Sequence, residues 1–398
     1  MHQLKIKIIT LFTIICIPSS FAQSKTKGKV IDDTNSELLS NVTIINLNTK
    51  KKIVSNNNGT FEITNKGIYL FKKVGYLEKE VNIQNNDYYI IQLSINPSEL
   101  NEIVIHSNLL PKKLKKSSAT INILSKKDID RGNNINIAQI LNRAPGVFMQ
   151  SGALNTNRIS IRGIGSRNLF GTAKIRAYFK DIPLTSGTGE TSIEDFELAS
   201  IARFDITKGA TSIYGAGLGG TIQLTPQHAY LNQSNLNSEF VFGAFGLIKA
   251  VVNFNHGTTN NSFKATYSNT HSDGYRDNNE YDRQTFTLNS NHYISEKDEL
   301  SFLASYVDLK AFIPSSLNEN TYLNNPTSAV FTWEQSKGYE DSQRGIFGLS
   351  WNHTYQDNLK QVTSIFSSFR KGYEPRPFNI LDENTFAFGV RSRLGYSS

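Results

Sequence analysis

The residues that chemistry would recruit first are the histidines, the single cysteine and a cluster of glycines. His106, His228, His256, His271, His292 and His353 are scattered along the chain. No pair stands at metal-ligand spacing, and H-E-x-x-H is absent. Cys16 falls inside an apolar leader, so neither disulfides nor thiolate metal sites can stabilise the remainder. The run GAGLGG at 215–220 satisfies G-x-G-x-x-G, but a dinucleotide site would need a helix after it. The next residues are TIQLTPQ, which alternate and then break at Pro226, so the glycines read as a tight turn between two strands. No constellation supports an enzyme, and nothing calls for a cofactor or a protein-held metal.

The elements around these residues are overwhelmingly β. Residues 1–22 read as a secretory signal: Lys5 and Lys7, an apolar core from Ile8 to Ile17, then Ser20, Phe21 and Ala22, with cleavage expected before Gln23. Residues 23–96 alternate in short apolar runs between Asn-, Asp- and Gly-rich turns, which argues a small β-sandwich. Residues 97–116 form a linker: Glu102, Ile103, Val104, Ile105, His106 and Ser107 are β-prone, and PKKLKKSS comes after them. Residues 117–228 mix strands with short helices, where Asp128 or Asn136 could cap and Ile137, Ile140 and Leu141 fall at helical spacing before Pro145. Arg162 and Arg203 are either paired buried cations or solvated surface groups.

From 229 to 398 the texture changes, and about two thirds of the aromatic residues lie here. Phe263, Ala265 and Tyr267 alternate with polar neighbours, as do Phe347, Leu349 and Trp351, and Phe386, Phe388 and Val390, with one face suited to lipid and the other to water. Eight strands are expected near 237–245, 248–257, 261–271, 282–294, 299–310, 342–355, 360–371 and 384–397, the seventh alternating poorly. Brief polar turns such as ISEKDEL contrast with the long segments 271–282 and 312–341. The longer of these reads as either a disordered loop or a ligand-gripping one. The net charge of +8 is spread without the interleaved basic and aromatic patch that nucleic acid would require.

PGV at 145, ISIRGIGSR at 159, IRAYFKDIPLT at 175 and RFDITKGATSIYGAGLGGTIQL at 203, in this order and spacing, resemble the plug domain of TonB-dependent outer-membrane receptors, on the siderophore-receptor side of that family. GKV at 28, NGTF at 58 and VGY at 74 resemble the carboxypeptidase-regulatory-like domain that precedes many such plugs. Lys180 before Asp181, and Ala210 after Gly209, depart from the family's usual turn residues. The resemblance implies a mainly β protein: β-sandwich, α+β plug, and the N-terminal part of a transmembrane antiparallel β-barrel. Plugged transporters have about 22 strands. About eight are found here, so the barrel is expected to continue beyond residue 398.

The resemblance further implies an outer-membrane transporter with a periplasmic N-terminal domain. TonB with ExbB–ExbD would drive it, membrane lipid would surround it, and a small ligand such as a ferric siderophore would be its substrate. Cobalamin, haem or an oligosaccharide, or signalling or ligand binding without transport, are the alternatives. Glu102 to Ser107 would be the TonB box, against the plainer reading of a last sandwich strand and solvated linker. Pro145, Gly146, Arg162, Gly163, Asp181, Arg203, Gly209, Gly215, Gly219 and Gly220 would shape the plug, with the arginines near acidic barrel residues. Arg167, Asn168 and Phe170 at the plug apex, with Tyr322 and Trp333 in the long loop, would meet the ligand.

Overall fold

The computed structural model describes residues 25–95, 104–105, 112–113, 117, 119–154, 156–166, 174–186, 189–210, 217–356 and 358–396. The expected signal segment lies outside them. Among the described residues no helix is long and apolar enough to cross a membrane, which says nothing of a β-barrel.

The first body is a sandwich of two sheets. One orders β4 (Thr60–Ile63), β1 (Thr26–Asp32) and β7 (Tyr89–Leu93), and the other β3 (Lys52–Val54), β2 (Thr43–Asn46), β5 (Gly67–Lys72) and β6 (Lys79–Ile83). Period-two alternation turns Val30, Ile44, Phe61, Phe71, Ile83 and Leu93 into one buried core. Gly28 is required where β1 crosses that core, because a Cβ there would stand 2.6 Å from the Phe61 ring. A two-residue antiparallel pairing of β8 (Val104–Ile105) with β9 (Lys112–Lys113) comes next.

The second body is a five-stranded mixed sheet ordered β10 (Thr120–Leu124), β15 (Ile201–Lys208), β16 (Gly220–Pro226), β13 (Ile175–Phe179) and β14 (Ile182–Pro183). Its companions are the helices α1 (Lys126–Asp130) and α2 (Ala138–Leu141) and the hairpin of β11 (Val147–Ala153) with β12 (Thr156–Ile161). Ser125 caps α1 and Asp128 closes the box as its third residue, so the cap stands three residues earlier than Asp128. Asn136 Oδ1 accepts from the Ala138 amide at 2.9 Å and supports the start of α2. Ile140, Ile161, Ile175, Phe204, Ile222 and Leu224 are fully buried in its core.

The third body is an eight-stranded antiparallel meander: β17 (Ser234–Phe242), β18 (Ile248–Gly257), β19 (Asn261–Ser272), β20 (Tyr281–Tyr293), β21 (Asp298–Phe312), β22 (Tyr339–Gln356), β23 (Leu359–Pro375) and β24 (Ile380–Tyr396). All eight expected strands are present, and 360–371 lies within a strand of 17 residues despite its poor alternation. Tyr267, Phe286, Phe302, Tyr306, Phe347, Leu349, Phe386 and Phe388 are exposed on one face. Thr266, Thr287, Asn289, Ser305, Ser350 and Ser364 are buried on the other, beneath the second body. Apolar outside and polar inside is the inverse of a soluble sheet and the pattern of a membrane barrel wall.

Short turns at 258–260 and 294–297 mark one end of this wall, and the segments 273–280 and 313–338 mark the other. The longer segment is ordered and carries α3 (Glu319–Asn324) and α4 (Phe331–Ser336). Arg276 fastens it by donating from Nε to the Ser328 carbonyl at 3.0 Å and from Nη1 to that of Ser315 at 2.6 Å. Asn278 Nδ2 donates to the Ile313 and Gly338 carbonyls.

Candidate functional site

The glycine-rich stretch forms the two antiparallel strands β15 and β16, with Gly209 at φ +92° and Gly220 at φ +144° between them. A Cβ on Gly220 would overlap the Thr207 carbonyl, so the turn tolerates only glycine. Gly209 N donates to Gly219 O at 3.0 Å, closing the loop. No helix succeeds Gly220, so the dinucleotide pattern has no pyrophosphate seat. Pro145 ends the segment after α2, and Gly146, at φ +74°, turns the chain into β11. Arg162 and Gly163 form a left-handed turn after β12, at φ +50° and +81°. Gly215 and the apical Arg167, Asn168 and Phe170 lie outside the described residues, as do Glu102, Ile103, His106 and Ser107. Val104 and Ile105 are described and extended. Tyr322 is exposed on α3, and Trp333 on α4 packs against Gly338.

The two arginines divide between the readings, and neither meets an acidic residue of the wall. Arg162 is exposed and donates to Thr120 Oγ1 at 3.0 Å, as the solvated reading holds. Arg203 is buried, but its carboxylates come from the sandwich and from its own sheet and not from the barrel: Glu37 Oε1 at 2.9 Å and Asp205 Oδ1 at 2.8 Å. Burial alone would weaken the charge, but Glu37 and Asp205 outweigh it and hold the guanidinium above its usual pKa. The residue beside β15 in space, Glu37, is 166 positions away in sequence.

The same corner holds Asp32, whose Oδ2 accepts from Tyr76 Oη at 3.0 Å and whose Oδ1 accepts from the Thr34 amide at 2.8 Å. Burial, with the Glu37 carboxylate beside it, pushes the Asp32 carboxyl up to about 6. Nearby, Ile31, Ile90, Leu231 and Tyr293 form an apolar seam, and Lys29 Nζ stands 3.9 Å from the centre of the Tyr293 ring. Tyr293 ends β20 at a short turn, so the sandwich docks on the short-turn end of the wall. His228, buried where the second body leaves for the third, is held well below the usual histidine range by burial and then by Lys180 and Lys264, so its ring is neutral.

Where the second body meets the wall, the charges run opposite to the expectation. Four ion pairs among the described residues place the acid on the inner body and the base on the wall, and the longer contact of Lys180 with Glu299, at 3.9 Å, runs the other way. Glu197 meets Lys249 at 2.7 Å, Asp195 meets Arg344 at 2.9 Å, Asp181 meets Arg393 at 2.5 Å and Glu190 meets Arg370 at 3.4 Å. The Lys249 and Glu197 side chains are 3% and 5% exposed, and Lys249 also donates to the Asn134 carbonyl at 2.6 Å. The available signal in the sequence was the acidic run at 194–197 in a basic chain, together with cations at inward-facing positions of the strands. Among the described residues no group of three or more His, Cys, Asp or Glu is placed to hold a metal.

Residues 113–221 match the TonB-dependent Receptor Plug Domain family, and residues 26–105 match the CarboxypepD_reg-like domain. Solved structures share the fold. The ferric citrate transporter FecA in its unliganded form matches at TM-score 0.58 and 15% identity, over 71% of this chain and 45% of that one. FpvA of P. aeruginosa, bound to heterologous pyoverdines, matches at 0.57 and 13%, over 73% and 41%. The copper transporter OprC matches at 0.52 and 15%, over 70% and 42%. The chain thus spans less than half the length of each of these structures. It carries a TonB-dependent receptor plug domain behind a CarboxypepD_reg-like domain, and it shares its fold with the ferric citrate transporter FecA.

Proposed function

We propose that this chain serves in TonB-driven import across an outer membrane, with the sandwich and the short turns facing the periplasm and the loops at 273–280 and 313–338 facing outward. The observation that carries the reading is a plug ion-paired to the polar inner face of a wall whose outer face is apolar. The substrate class is a metal chelate, most simply a ferric siderophore. The structures of similar fold include a ferric citrate transporter, FpvA bound to a pyoverdine–iron complex, and a copper transporter. Tyr322 and Trp333, with Arg167, Asn168 and Phe170 of the plug apex, are the residues to meet it.

TonB, energised by ExbB–ExbD, takes residues 102–107 as an added strand, so main-chain groups carry the affinity. The pairing of Val104–Ile105 with Lys112–Lys113 spans only two residues and is cheap to exchange for such a strand. Val104→Pro removes one amide and fixes φ near −65°. The variant therefore keeps ligand binding at the cell surface and loses accumulation, whereas Val104→Ile keeps both. Energy-dependent uptake that persists in Val104→Pro cells at normal receptor level returns the segment to the plainer reading of strand and linker. Binding without accumulation in unmodified cells favours a receptor that signals without transport.

A further inference from the structure

Two cavities lie against the same strands of the wall, at opposite ends. The one towards the long loops, about 50 Å³, is lined by Asp195, Arg344, Ser368 and Arg370. The one towards the short turns, about 450 Å³, lies between sandwich, plug and wall and is lined by Lys180, Gln223, Ser301, Ser350, Lys360 and Arg393. Both carry charged side chains, the smaller with Leu184, Phe196, Val307 and Ile346 beside them, and both face β21, β22 and β23.

One register row separates them. Leu303, Gly348, Phe366 and Gly389 are paired in line across β21 to β24. Gly348 lies four residues from Arg344 and two from Ser350, about 13 and 7 Å along the strand. Ile182 of the plug sits directly on Gly348. A Cβ there would overlap Ile182 Cδ1 and stand 2.8 Å from its Cγ1. Gly389 likewise makes room for the Phe366 ring, 2.5 Å from where its Cβ would be. Leu303 and Ile346, with Phe366 packed against them, join the plug's apolar core here, between Ser301, Ser350 and Ser364 on one side and Ser305 and Ser368 on the other. An apolar contact between two cavities that carry charged groups blocks ions and hydrated solutes.

We propose that substrate crosses along the inner face of β21–β23 and that Ile182 on Gly348, flanked by Leu303 and Phe366, is the gate. This rests on the import reading above. The strand that carries the gate residue is the most cheaply displaced in the plug sheet. β14 has two residues, lies at the sheet edge and pairs only with β13, through Tyr178 with Pro183 and Phe179 with Ile182. Pro183 has no amide to contribute. The turn before it places Lys180 at φ +52°, and Asp181 is tied to Arg393 across the same gap. Moving β14 away from the wall breaks few main-chain bonds and joins the two cavities.

The test is a cysteine pair, Ile182→Cys with Gly348→Cys. Ile182 Cγ1 and Cγ2 stand 2.8 and 3.5 Å from a Gly348 Cβ, which places the two Cβ atoms within the ~3.5–4.5 Å that a disulfide takes. Cys16 is the chain's single cysteine, so the background is simple. The probe is ⁵⁵Fe loaded onto the siderophores of the organism's own culture medium. Oxidation should cut energised uptake about tenfold or more with surface binding unchanged, and reductant should restore it. Unimpaired uptake through the oxidised pair overturns the gate. Absence of ⁵⁵Fe uptake by the unmodified protein overturns the import reading instead. In that case, or where the pair fails to fold, Ile182→Ala decides. It should raise K⁺ conductance in planar bilayers several-fold, and an unchanged conductance overturns the gate.

Discussion

Replacing Asp32 with asparagine should stabilise the sandwich at neutral pH, although it removes a charge from a hydrogen-bonded corner. The carboxyl is 2% exposed, with Glu37 and Asp33 nearby, and its pKa rises from an ordinary 3.8 to about 6. A raised folded-state value means that protonation favours the fold. That contribution is complete below the unfolded value and is lost as pH rises through about 6. Two units at about 1.4 kcal/mol each make the ionised group cost about 3 kcal/mol at pH 7.5. Asparagine keeps the Oδ1 that accepts from Thr34 and Asn35, and its amide can donate to Tyr76 Oη where the carboxylate accepted. Allowing for an imperfect amide fit, the variant should gain about 1–3 kcal/mol at pH 7.5 and almost nothing at pH 4. The assay is the urea midpoint reported by a dye on Val54→Cys, an exposed sandwich position, at both pH values. A variant that is less stable at pH 7.5, or a gain that is equal at pH 4, refutes the reasoning.

Arg203→Met deprives Glu37 and Asp205 of their guanidinium while keeping the apolar bulk. It should cost about 3–5 kcal/mol and Glu37→Gln clearly less, read as amide exchange in Ile201–Lys208. Lys249→Met strands Glu197 in a buried site and should loosen the plug by a similar ~3–5 kcal/mol, measured as the urea needed to expose the plug to protease. Adding Glu197→Gln should recover most of the loss. Gly28→Ala should destabilise the sandwich by about 1–3 kcal/mol, because the new Cβ would overlap the Tyr89 carbonyl and press on the Phe61 ring, visible as a lower midpoint in the same dye assay.

How much of the molecule was legible in its sequence depends on how local each signal is. Strand positions in the wall were legible because the inverted alternation of Phe347, Leu349 and Trp351 is a property of neighbouring residues. The turn at Gly209 to Gly220 was legible for the same reason, since φ values of +92° and +144° leave glycine as the natural occupant. Partners were not legible. Arg203 announced a buried charge, but Glu37 comes from a different body, and no pattern within either segment encodes their meeting. The same holds for Lys249 and Glu197, 52 positions apart on plug and wall.

The weak alternation of 360–371 has a physical cause. Facing inward are Lys360, Val362, Ser364, Phe366, Ser368 and Arg370, and facing outward are Gln361, Thr363, Ile365, Ser367 and Phe369. Apolar groups on the inner side, and polar ones on the outer, blur the period of two. Val362 is buried, and Phe366 packs on the plug core that holds Ile182. The inward Phe366 that blurs the period is the trace, in sequence, of contact with the plug's apolar core.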